Sequence, residues 1–524
     1  MRKRLIAFIC VAILLSIAPF ALSQIQNIKS TGGQVQGVVA DGVASFKGIP
    51  FAAPPTGKLR WKAPEPAKPW SDVRKADAYA PVCMQDPGMS KMMGSSPNVS
   101  EDCLYLNVWT AAKTAGEKLP VMVWIHGGAF VGGMTGTPMF DGAKFAKKGV
   151  VLVSIAYRLG VFGFMAHPEL SRESGKGSGT YGIQDMIAGL QWVKNNIAQF
   201  GGDPSRVTIF GESAGGIAVG MLSAAPQAKG LFQRAISESG GSFAPPRVAD
   251  GAGMNVAVLK LAESAGESFL KKLGAADIKA ARALPAEQVQ KAAGGGMGGG
   301  ASFWPVADGN VLPGDPYELY EKGRFNDTPI LVGTNSNEGG LFMRGPVTSA
   351  SFEKQIRSGY GERADVMLNA YPHATDAEAA RASADIFREF AFAWPTWAWA
   401  RMQSQKGKGK AFVYYFDHRT PASPDGANHG AEVSYVFGNF GGPSGGAPSP
   451  EDLALSDLIR SYWINFARTG DPNGSGLPQW PVFTEKGEKV MFFDTAASAK
   501  PIPNLEKLKA YDSYYSWRRE QAKK

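Results

Sequence analysis

The chain has 524 residues, 44% hydrophobic and 11% aromatic, which supplies a large buried core and excludes a disordered chain. Its formal charge is +9, but Lys and Arg are scattered without a dense basic stripe, so no nucleic-acid partner is expected. Five histidines far apart in sequence, with no HExxH and no paired CxxC, exclude the common metal sites, and no metal or other cofactor is expected.

The first residues read as an address. Arg2, Lys3 and Arg4 precede an apolar run from Leu5 to Ile17, Pro19 breaks it, and Ala21-Leu22-Ser23 offers small residues for cleavage. That run is shorter than the roughly 20 residues of a membrane span. Residues 1–23 are therefore read as a signal peptide, and the protein as exported to a periplasm or beyond. Removing the three cations lowers the charge from +9 to +6. No later segment has the long apolar run of a span, so no stable membrane insertion is expected. Cleavage leaves Cys83 and Cys103. An oxidising compartment favours a disulfide between them; two separate buried thiols are the alternative.

Short apolar, β-branched runs then alternate with helical patterns. Val35–Val39 and Ala44–Phe46 suggest a small N-terminal antiparallel sheet. Val121–Ile125, Val150–Ile155, Val207–Phe210, Pro329–Val332 and Ala411–Phe416 read as buried strands. Met186, Leu190, Val193 and Ile197 recur at helical spacing between the second and third of these. Strand, helix and strand in that order imply parallel crossovers, hence an α/β fold with a mostly parallel central sheet flanked by helices. Glycine-rich residues 294–300 and 438–447 read as surface loops. No linker divides residues 24–524, which are read as a single domain.

The chemistry begins at Gly211-Glu212-Ser213-Ala214-Gly215, between the strand ending at Phe210 and a predicted helix over Ala214–Leu222. A G-x-S-x-G turn between strand and helix is the setting that lifts a serine hydroxyl above a sheet edge as a nucleophile. Upstream, the strand Val121–Ile125 runs into His126-Gly127-Gly128-Ala129-Phe130. Backbone N–H groups of that loop, at Gly128 and Ala129, with that of Ala214, are candidate donors to a tetrahedral oxyanion.

Glu101-Asp102-Cys103-Leu104-Tyr105-Leu106-Asn107-Val108 and the run from Gly211 to Gly216 resemble the two signatures of the type B carboxylesterase family, which includes cholinesterases. Phe46–Ala52, Tyr157–Gly160 and Phe200–Pro204 agree in order and spacing, so the resemblance spans about residues 30–515. It implies an α/β-hydrolase fold and hydrolysis of small-molecule esters. A serine needs a base oriented by a carboxylate, in the chain order serine, acid, histidine. His373, His418 and His429 follow Ser213. The run His429-Gly430-Ala431-Glu432 resembles the family's histidine motif, and Glu338 in Gly333–Gly339 stands where the family carries its acid; Asp308, in Pro305–Gly309, reads as a structural turn. Gly127, Glu212, Ser239 and Glu432 match the family's supporting shell, and Glu101 with Arg158 resembles a structural ion pair.

Cholinesterases carry an aromatic residue in the disulfide loop that stacks on choline. Residues 84–102 hold no Trp, Tyr or Phe up to Asp102, only Met84, Met89, Met92 and Met93 as larger apolar side chains, candidates for an adaptable pocket rim. A choline ester is therefore not the expected substrate; a general or xenobiotic ester is. Ala129 replaces a third glycine found in many relatives and narrows the acyl side. The same triad serves amide or thioester cleavage, and the family also includes non-catalytic adhesion proteins that lack the serine. A monomer or weak dimer is expected.

Overall fold

The computed structural model describes residues 25–92, 98–248, 254–294, 303–343, 345–441, 447–486 and 489–522. The predicted signal peptide, Met93 and most of the glycine-rich segment 294–300 lie outside the described residues, as does the middle of 438–447.

Eleven strands form one sheet. In chain order they are β1 (Val38–Ala40), β2 (Val43–Pro50), β3 (Tyr105–Thr110), β4 (Leu119–Ile125), β5 (Val151–Ile155) and β6 (Gly202–Glu212), followed by β7 (Arg234–Glu238), β8 (Ile330–Asn335), β9 (Ala411–Phe416), β10 (Lys489–Phe493) and β11 (Ala497–Pro501). Across the sheet they run β11-β10-β9-β8-β7-β6-β4-β5-β3-β2-β1. All pairs from β10 to β5 are parallel, and those outside them are antiparallel. This is the mostly parallel, helix-flanked sheet of an α/β-hydrolase.

Burial on both faces explains the continuous apolar runs. Side chains alternate along a strand, so Val121, Val123 and Ile125 of β4 enter one core while Met122 and Trp124 enter the other. The first core is closed by helices α1 (Tyr181–Asn196), α2 (Ala214–Ala224) and α3 (Trp394–Lys406), through Met186, Leu190, Ile217 and Trp399 among others. The second is closed by α4 (Ala431–Phe437) and α5 (Pro450–Thr469), through Val436, Phe437, Ile459 and Trp463.

The N-terminal reading needs correction. Val35–Val39 is not one strand: Gly33–Gln36 pairs with Asn27–Ser30 and with Arg74–Lys75 in a small mixed sheet, whereas Val38–Ala40 and Val43–Pro50 extend the main sheet. Gly37 is the crossing point, where a Cβ would lie 2.6 Å from the Ser45 carbonyl oxygen. Only glycine permits that approach.

Candidate active site

Ser213 lies between β6 and α2 with φ 57° and ψ −124°, and is 8% exposed. Its N–H donates to the Glu238 carbonyl at 2.9 Å, and its carbonyl accepts from Ile217 N–H at 2.8 Å. The turn is forced by packing. A Cβ on Gly215 would collide with the Ile125 carbonyl oxygen, so α2 can start this close to β4 only with glycine there.

The loop after β4 is held against this turn. A Cβ on Gly127 would lie 3.1 Å from Ser213 Cβ. Gly128, Ala129 and Phe130 all have positive φ, at 109°, 54° and 58°. Phe130 is fully buried, with its ring edge-on to Trp304 at 4.9 Å and Phe164 at 5.2 Å, and the loop closes where the Val131 and Gly132 N–H groups donate to the Gly128 carbonyl at 3.0 Å. Further on, Gly133 exchanges hydrogen bonds with the Gln85 amide at 2.8 and 3.0 Å. Gln85 follows the Cys83–Cys103 disulfide, so the bridged loop braces the glycine loop. The N–H groups of Gly128, Ala129 and Ala214 donate to no other described residue. The positive end of α2 adds to their attraction for negative charge.

His429 is the histidine that joins this site. Its Nδ1 lies 2.6 Å from Glu338 Oε2 and its Nε2 lies 3.2 Å from Glu212 Oε1, on the residue preceding Ser213. Phe392 stacks on the imidazole at 4.4 Å, and Phe342 meets it edge-on at 5.4 Å. The other two candidates are committed elsewhere. His418 bonds the Asp494 carbonyl and Asp452, and His373 bonds the Tyr371 carbonyl in a turn between helices. Asp308 caps a turn, accepting from the N–H groups of Asn310, Val311 and Leu312 and from the Thr180 hydroxyl.

Behind the imidazole lies a buried acidic cluster. Glu338 Oε1 accepts from the Ser239 hydroxyl at 2.5 Å and the Asn335 N–H at 2.8 Å. Glu432 accepts from Ser239, from Tyr414 and from the Asn335 amide. Burial pushes the Glu212 carboxyl up to about 7, with His429 opposing and Glu338 adding to the rise. Burial, Glu338 and Glu212 push Glu432 up to about 8. Burial alone would lower the His429 pKa, but Glu212, Glu338 and Glu432 together raise it from 6.5 to about 9.

The residues singled out in sequence thus converge: Ser213, Glu338 and His429, the Gly127–Ala129 loop, and Glu212, Ser239 and Glu432. Glu101 and Arg158 do not pair. Glu101 binds Arg60 at 2.6 Å, where the Ala281 and Leu284 carbonyls also hold that guanidinium, and Arg158 binds Asp185 of α1 at 2.7 Å, which its own backbone N–H also reaches. Met84 is buried in the core beside the disulfide, and the side chains of Met89 and Met92 lie outside the described residues, as Met93 does. Sequence reasoning missed Glu238, Asn335, Phe342, Phe392 and Trp463. Asn335 and Glu238 stood beside residues it had named, and were open to the same attention.

An elbow serine at the end of a parallel strand and a carboxylate-held histidine on a later loop place the chain in the α/β-hydrolase class. The chain matches the carboxylesterase family over residues 23–511 and belongs to it. It is 37% identical to the fumonisin B1 esterase of Sphingopyxis macrogoltabida, over 90% of this chain and 87% of that protein. It is 35% identical to the para-nitrobenzyl esterase of Bacillus subtilis, over 92% of this chain and 97% of that protein. A solved PNB esterase superposes with a TM-score of 0.80 at 35% identity, covering 93% of this chain and 99% of the other. A Geobacillus stearothermophilus carboxylesterase does so with 0.80 at 34%, covering 93% and 100%. The protein is a carboxylic ester hydrolase, and no helix of its described residues is long and apolar enough to cross a membrane.

Proposed function

We propose that the protein is a serine esterase acting through an acyl-enzyme on Ser213, with Glu338 and His429 completing the triad. His429 Nε2 takes the Ser213 Oγ proton as Oγ attacks the ester carbonyl. The tetrahedral oxyanion is received by the N–H groups of Gly128, Ala129 and Ala214, each such donor being worth about 3 kcal/mol. His429 then protonates the leaving alcohol, and water, deprotonated by the same nitrogen, releases the acid. Glu338 fixes the ring and stabilises the imidazolium. Gly127, Glu212, Ser239 and Glu432 support these groups. In this structure Ser213 Oγ has no hydrogen-bond partner among the described residues, so the Ser213–His429 bond is one that forms as substrate seats, as is common for catalytic hydrogen bonds.

The observation that carries the reading is the 2.6 Å Glu338–His429 pair, together with a left-handed serine and three N–H groups that have no partner among the described residues. Purified protein is expected to hydrolyse short-chain nitrophenyl esters and to be labelled by an organophosphonate. Ser213→Ala should remove both; an active, labelled mutant would defeat the assignment.

The substrate we infer is a general ester and not a choline ester, since the disulfide loop offers no aromatic face to a quaternary ammonium. The esterase relatives named above favour oxygen esters over amides or thioesters, and the retained Ser213, Glu338 and His429 argue against a non-catalytic adhesion role. Export rests on the charged, apolar N-terminus and fits the Cys83–Cys103 bridge.

A further inference from the structure

A fourth glutamate lies under the nucleophile and has no role in the mechanism above. Glu238 ends β7 and is 0% exposed. Trp463 Nε1–H, from α5, donates to its Oε1 at 2.8 Å, while its Oε2 has no partner among the described residues. An ionised carboxylate has about four acceptor sites to satisfy, and a buried one needs donors or a cation. Here the facing groups are Glu212 from β6, Tyr414 from β9, Glu432 from α4 and Trp463 from α5. None is a cation. His429, the one basic group of the cluster, is engaged with Glu338 and Glu212. Burial first, and then Glu432, push the Glu238 carboxyl well above the usual range.

The backbone of the same residue is in direct contact with the site. Its carbonyl accepts the Ser213 N–H at 2.9 Å, and the next hydroxyl, Ser239 (φ 49°), donates to Glu338 at 2.5 Å. The pair 238–239 therefore joins nucleophile to acid, and the Glu238 side chain anchors that bridge to α5.

We propose that Glu238 is a positioning residue held as a neutral carboxylic acid, which ties the Ser213–Glu338 bridge to Trp463 while adding no negative charge behind His429. The inference rests on the triad reading given above. The proton sits on Oε2, since Oε1 accepts from Trp463. A carboxylic acid buried among other acids without a cation is stable in its neutral form, because ionisation there is more costly than retaining the proton.

Infrared spectroscopy of the full protein tests the protonation without relying on hydrolysis. As the pH is raised through the values of Glu212 and Glu432, one carboxylic-acid carbonyl band should outlast theirs, and that band should be absent in Glu238→Gln. Kinetics test the positioning. Glu238→Ala should lower kcat about tenfold or more with little change in KM, as expected when a nucleophile is misplaced. Glu238→Gln should rescue most of that loss, because its amide oxygen still accepts from Trp463, and should leave the acid limb of kcat/KM in place. A band unaffected by Glu238→Gln, or an acid limb displaced as by removal of a charge, would overturn the proposal. So would undiminished kcat in Glu238→Ala. Should that variant not fold, the band and the Glu238→Gln profile decide alone. Failure of the triad reading would show separately, as labelling that survives Ser213→Ala.

Discussion

The sharpest quantitative test concerns Glu212. In the mechanism proposed above His429 serves as base only when neutral, yet carboxylates at 2.6 and 3.2 Å raise its pKa from 6.5 to about 9. That rise corresponds to roughly 3 kcal/mol in favour of the imidazolium. Glu212 is the largest charge acting on the ring, ahead of Glu338 and Glu432. Because burial lifts Glu212 itself to about 7, it holds a proton for part of the range and contributes less than its full charge. Glu212→Gln keeps the shape and deletes the charge, so the sign is fixed: His429 becomes easier to deprotonate. The acid limb of kcat/KM should move down by about one pH unit, or about 1.4 kcal/mol, leaving the mutant relatively more active at pH 6 than at pH 9. The limb reports the coupled cluster and not one residue, so the difference between the two profiles is the quantity to read. A soluble short-chain nitrophenyl ester followed from pH 5 to pH 9.5 suffices. An unmoved or upward-moved limb would refute the electrostatic reasoning, whatever happens to kcat.

Other expectations follow from the same geometry. Gly128→Ala would bring a Cβ against the Gly132 carbonyl at a φ of 109°; misplacing one proposed oxyanion donor should cut kcat about 10²- to 10³-fold with KM little changed. Replacing one member of the Arg60–Glu101 pair, 4% and 10% exposed, should cost about 3–5 kcal/mol. A double-mutant cycle should show coupling for Arg60–Glu101 and none for Arg158–Glu101. Reducing Cys83–Cys103, 20 residues apart, should lower stability by about 3 kcal/mol in the chain-entropy account, read as a lower denaturant midpoint.

How far the sequence could be read depended on whether the responsible force is local. The central strands were legible because burial on both faces writes an unbroken apolar run, as in Val121–Ile125. The elbow was legible because a strand–turn–helix needs glycine at fixed offsets. His429 and Glu338, by contrast, came from family motifs, since nothing local distinguishes His429 from His418. The N-terminal strand was misread because an apolar run does not mark where Gly37 sends the chain from one sheet to the other. Arg158 was given the wrong partner because two charges near one disulfide do not reveal which cation is held from beneath. Phe392 and Trp463 reach the cluster from elements 180 and 250 positions beyond the elbow, roughly speaking, and no spacing rule links them to it.

The strained backbone shows what the rest of the fold must supply. Among the described residues seven non-glycine positions have positive φ, and four of them, Ala129, Phe130, Ser213 and Ser239, surround the site. Strain of this kind costs about 1–3 kcal/mol per residue, so four such residues approach the net stability of a whole domain, about 5–15 kcal/mol. Three of the four are over-determined by their surroundings: Ser213 by bonds at both its N–H and carbonyl, Ser239 by the Gly333 carbonyl and Glu338, Phe130 by its buried ring. The consequence can be measured at Ser213. Both Ser213→Ala and Ser213→Gly lose the hydroxyl, but only glycine relaxes φ 57°, ψ −124°. Against that gain stands the greater entropy of an unfolded glycine, about 0.4–1 kcal/mol. Strain is the larger of the two effects, so Ser213→Gly should be the more stable variant by about 1 kcal/mol, seen as a higher midpoint in urea at equal m-value. Equal or lower stability of the glycine variant would mean that the turn is not strained, and that the serine is lifted above the sheet by packing alone.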